Sequence, residues 1–159
     1  MAQRVEVAPV APVAPPNRRI RTPQRASVVL TVPAHKDYVV IVRSAVAQLA
    51  ACSGYTLQQV TDLRLAVNEA CALLVGGLGV IECRAEVRAD AGSEVLRVTV
   101  TAPAAGGFDV PDAPDTDGLG WNLMTALVDA LAWAQDGVTA RVSLEKRRGL
   151  PAGPAVPTG

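Results

Sequence analysis

Apolar residues in the stretch 56–75 recur at Val60, Leu63, Val67, Ala70, Cys71 and Leu74, the spacing that lines one stripe of a helix. Thr56 and Gln59 open this stretch as a T-x-x-Q capping box, and Gly76-Gly77 supplies a stop. Asp62, Leu65, Ala66, Glu69 and Leu73 occupy the neighbouring stripe. Upstream, the β-branched run 27–32 ends at Pro33 and predicts a first strand. Residues 36–51 then repeat Tyr38, Ile41, Val42, Ala45, Val46 and Leu49, a helix with that stripe inward that ends near Gly54. Arg43 lies off it.

Downstream the period changes to two. Residues 80–88 alternate Ile81, Cys83, Ala85 and Val87 against charged positions, which predicts a half-buried strand. Asp90-Ala91-Gly92 turns the chain, and 95–100 returns as the hairpin partner. Residues 102–117 have no period and predict a long loop. Beyond it, 121–133 reads as a third helix with Leu123, Met124, Leu127, Leu131 and Ala134 inward, and 139–146 alternates into a last strand. The order β-α-α-β-β-loop-α-β predicts an α/β fold of the α+β sandwich kind: a mixed, mostly antiparallel sheet covered on one face by three helices.

Composition narrows the picture. Residues 1–26 are rich in Pro, Ala and Arg, and 148–159 carry no core pattern, so both are expected to be disordered tails around a single domain at 27–147. Fifteen basic residues balance fifteen acidic ones, which gives no global field for direct binding to nucleic acid or an anionic membrane. No apolar run reaches the ~18 residues needed to span a bilayer. Three cysteines without a C-x-x-C, and a single histidine, argue against a zinc site or a disulfide framework. Buried free thiols in a cytoplasmic protein are expected.

Two features suggest chemistry. Glu69 comes late on a helix whose neighbouring face is apolar, where a carboxylate can sit beside a pocket. Gly118 and Gly120 precede a helix start, where bare backbone N–H groups can meet a phosphate; a loop exit with close helix packing is the alternative.

The run D-L-R-L-A-V-x-E-A-C at 62–71, and D-G-L-G-W-N-L-M-T-A-L ahead of the third helix, resemble anti-sigma factors of the RsbW/SpoIIAB type, members of the GHKL (Bergerat-like) group of ATP-binding domains. That resemblance implies a carboxylate at Glu69 that polarises the attacking group, and an Asn one turn on that holds magnesium. Leu73 stands at the Asn position. It also implies an Asp at the end of the second hairpin strand that receives the adenine amino group. Counted from the strand this slot is Ala102; counted back from Gly107 it is Pro103. Glu69, Leu73, Ala102, Pro103, Gly107, Gly118 and Gly120 thus outline a degenerate nucleotide pocket, and no cofactor is expected, with ATP and magnesium as the alternative.

The function so implied is sequestration of an alternative RNA polymerase sigma factor, with release by an anti-anti-sigma (STAS-type) antagonist. The implied assembly is a homodimer, with Arg43 on the first helix as a partner contact. Two alternatives stand beside it: an active ATP-dependent serine kinase acting on the antagonist, and an orphan ligand-binding or scaffold domain on the same fold.

Overall fold

The computed structural model describes residues 26–76, 79–90, 92–104 and 113–148. All of the proposed tails at 1–26 and 148–159 except Ala26 and Arg148 lie outside that set, and the Arg148 N–H donates to Glu94 O at 2.8 Å. Five strands, β1 (Ser27–Pro33), β2 (Val80–Asp90), β3 (Ser93–Pro103), β4 (Ala130–Gln135) and β5 (Thr139–Arg147), form one sheet in the order β1-β2-β3-β5-β4. Every pairing is antiparallel. Helices α1 (Val39–Cys52), α2 (Leu57–Ala72) and α3 (Leu119–Leu127) pack on one face.

Register explains the core. Val28, Ala85, Val98, Leu144 and Leu131 stand side by side across all five strands, and Leu30, Cys83, Val100, Val142 and Trp133 form the next row. Because side chains alternate across a pleated sheet, both rows point to the helix side. Ile81, Cys83, Ala85, Leu96, Val98, Val100, Val142 and Leu144 are fully buried, while Glu82, Arg84 and Arg88 face outward. Gly92, at φ +84°, closes the β2–β3 turn.

Helix α2 starts as its sequence predicts. Thr56 Oγ1 accepts from the Gln59 N–H at 3.2 Å, and Gln59 Oε1 accepts from the Thr56 N–H at 3.1 Å. Its buried stripe is Leu63, Ala66, Val67, Ala70 and Cys71, so Ala66, set on the neighbouring stripe by spacing, turns inward, and Val60 is only partly buried.

Helix α1 differs from expectation. It buries Val39, Val42, Val46 and Ala50, whereas Tyr38 and Ile41 are 41% and 47% exposed. Val39, Val40, Ile41 and Val42 run together, so hydrophobic spacing alone cannot fix which face turns inward.

The larger difference follows α3. The predicted helix at 121–133 ends at Leu127, and 130–135 is strand β4 on the sheet edge. Leu131 with Ala134 continues the helical stripe, and Leu131 with Trp133 fits a two-residue alternation; cross-strand neighbours Leu144 and Val142 select the strand. Asp129 fixes the switch: its N–H donates to Glu145 O at 2.8 Å, and its Oδ2 accepts from Arg147 N–H at 2.6 Å. Lys146 Nζ donates to Leu127 O at 2.6 Å, a cation at the carboxyl end of α3.

Candidate functional site

The site lies where α2 passes the start of α3. Glu69 is half-buried near the end of α2, and its Oε1 accepts from Asn68 Nδ2 at 3.3 Å. Its Oε2 stands 3.0 Å from the place a Cβ on Gly120 would occupy. Sequence spacing set Glu69 and Gly120 fifty-one positions apart; the fold puts them in contact. The bare Cα of Gly120 leaves room for the carboxylate to approach the first turn of α3.

Gly118 serves a second carboxylate. A Cβ there would fall 2.7 Å from Asp115 Oδ2, and the Gly118 N–H donates to Asp115 O at 3.1 Å. Asn122 winds the loop inward, its Nδ2 reaching the carbonyls of Asp117 at 3.2 Å and Gly118 at 3.1 Å. The G-x-G thus brings Glu69 and Asp115 against the amino end of α3, where negative charge is favoured by the helix dipole.

The other pocket positions carry hydrocarbon. Leu73 caps α2 and packs, partly buried, against the core. Ala102 is only 3% exposed and faces the helix layer, while Pro103 is exposed beside Thr139. Of the two registers, 102 is the position that points toward the helices, and a methyl group stands there. Gly107 lies outside the described residues. Among the described residues no cluster of three or more His, Cys, Asp or Glu could hold a metal ion.

Arg43 does not project freely from α1. It is half-buried, and its Nη1 donates to Asn68 Oδ1 at 2.9 Å; its Nε is buried with no hydrogen-bond partner among the described residues. A depression of about 220 Å³ lined by Lys36, Val39, Asn68, Ala72 and Val75 adjoins this contact. Arg64 is exposed, and Asn68 is the side chain that donates to Glu69. Helical spacing by itself leaves Asn68 outside the site, since adjacent positions point about 100° apart round the helix. What it missed is that Asn68 faces α1, a contact across 25 residues that no local pattern signals.

Residues 32–146 match the family model of the histidine kinase-like ATPase domain. The chain belongs to that family. Among curated proteins, no relative matches it. As a histidine kinase-like ATPase domain, it keeps the family's antiparallel sheet and three-helix layer, with Glu69 and the glycine-led α3 at one end of α2. No helix among the described residues is long and apolar enough to cross a membrane.

Proposed function

We propose that this protein is an anti-sigma factor: a cytoplasmic, homodimeric binding protein that sequesters an alternative sigma factor and yields it to a STAS-type antagonist. Nucleotide plays little or no part in this reading. Family membership and the D-L-R-L-A-V-x-E-A-C match on α2 support the regulatory class. The observation that carries the loss of nucleotide is the side-chain complement around α3.

A magnesium nucleotide does not fit that complement. Leu73 offers no ligand atom where the metal would need one, and Ala102 offers no acceptor for an adenine amino group. A missing acceptor in a dry site costs about 1–3 kcal/mol. The start of α3, where bare N–H groups could seat a phosphate, is approached by Asp115, so an incoming phosphate meets like charge there. The chain's own residues are left with recognition of a protein partner, and Arg43 on α1 is the contact favoured for it.

Two measurements on the full chain test this. Calorimetric titration with magnesium-ATP is expected to give no binding tighter than millimolar, while affinity capture from the native cytosol, read by mass spectrometry, is expected to return a sigma factor. Micromolar ATP binding together with phosphorylation of a captured antagonist would establish the kinase reading instead. Capture of neither partner would leave the orphan-domain alternative.

A further inference from the structure

Arg43, Asn68 and Glu69 form a hydrogen-bonded chain from α1 to α2, and the Glu69 carboxylate stands beside Gly120 of α3. The guanidinium donates to Asn68 Oδ1 at 2.9 Å, which fixes the amide so that its Nδ2 points the other way. That Nδ2 donates to Glu69 Oε1 at 3.3 Å, and Glu69 Oε2 lies against Gly120. An amide is suited to this place because it accepts on one side and donates on the other. A carboxylate at 68 could serve Arg43 but not Glu69.

We propose that Asn68 is the positioning residue for the Glu69 carboxylate, and that Arg43 controls it from α1. The link is easily switched at the Arg43 end. With its buried Nε unpaired among the described residues, the guanidinium is held to Asn68 by a single hydrogen bond. An acidic group docking on α1 competes for that one bond. Once Arg43 is drawn away, the Asn68 amide is free to turn, and Glu69 loses its donor beside the amino end of α3. Occupancy of the α1 surface is thereby felt at the amino end of α3, 77 residues on, at Gly120. This coupling needs neither a nucleotide nor a particular partner, so it stands or falls apart from the anti-sigma reading.

The test uses the ¹⁵N-labelled full chain and the amide resonances of Leu119 and Gly120. Glu69→Ala sets the scale of displacement at these two amides. Asn68→Asp, which keeps the acceptor for Arg43 and the side-chain size, is expected to move them by at least half that amount, while amides of the α1 core at Val42 and Val46 stay in place. Arg43→Ala is expected to move them in the parent chain but not in an Asn68→Ala background, a comparison that separates a relay from the direct field of the guanidinium. Two results would overturn the proposal: unmoved Leu119 and Gly120 amides in Asn68→Asp, or an Arg43→Ala displacement that persists undiminished when Asn68 is Ala. A role for Asn68 confined to satisfying Arg43 predicts the first of these.

Discussion

Cys71 and Cys83 show how burial alone sets the chemistry of a side chain. Both thiols are fully buried, and loss of solvation pushes each up to about 12 from its ordinary value of 9.0. Cys52 is exposed, contrary to the expectation that all three cysteines would be buried. A maleimide is therefore expected to label Cys52 alone in the native protein at neutral pH, and Cys71 and Cys83 only after unfolding. The same shifts carry a sign for stability. The unfolded chain releases these protons near pH 9 while the folded chain retains them to about 12. Their contribution is complete below pH 9 and is lost as pH rises through that window, by about 1.4 kcal/mol per pH unit for each thiol. Urea melts at pH 8 and pH 10.5 check this; equal midpoints would contradict it.

Helix α2 is tied to both neighbouring helices and to the sheet. Its amino end is capped by Thr56 and also tied to the sheet, since Gln59 Nε2 donates to Arg147 O at 2.8 Å. One turn on, Asp62 pairs with Lys146 of β5 at 3.2 Å, with side chains only 14% and 13% exposed. The same Lys146 ammonium closes the carboxyl end of α3. Removing Asp62 leaves a poorly solvated cation between three elements, so Asp62→Ala is expected to destabilise the fold by about 3 kcal/mol. Chemical denaturation with circular dichroism measures it. A loss under 1 kcal/mol, the scale of a surface ion pair, would show that the pair is effectively solvated.

At the scale of the whole molecule, one sheet face is covered by helices and, among the described residues, the other is open. Val29, Val80 and Val138 are about half or more exposed, and Ala130, Ala132 and Ala134 line the edge strand. A homodimer would cover such surface, and light scattering at tens of micromolar is expected to report twice the chain mass; a single-chain mass would reject the assembly. How much of this molecule was legible in advance depends on the range of the interaction. The cap at Thr56, the α2 stripe, the β2–β3 hairpin and the one-sided helix layer follow from local rules of period, capping and turn chemistry, and the sequence alone determined them. The strand at 130–135 did not, because Leu131 pairs with Ala134 at the helical period and with Trp133 at a period of two, and only the neighbours on β5 break the tie. The inward face of α1 was likewise undecided until the sheet beneath it selected Val42 over Ile41. Glu69, Gly118 and Gly120 were legible as candidates, since a carboxylate on an apolar helix and a glycine-led helix start are local signals. Their meeting, and the place of Asn68 between Arg43 and Glu69, was settled by tertiary structure alone, because contacts across 25 and 51 residues are fixed by how helices pack and leave no periodic trace in the chain.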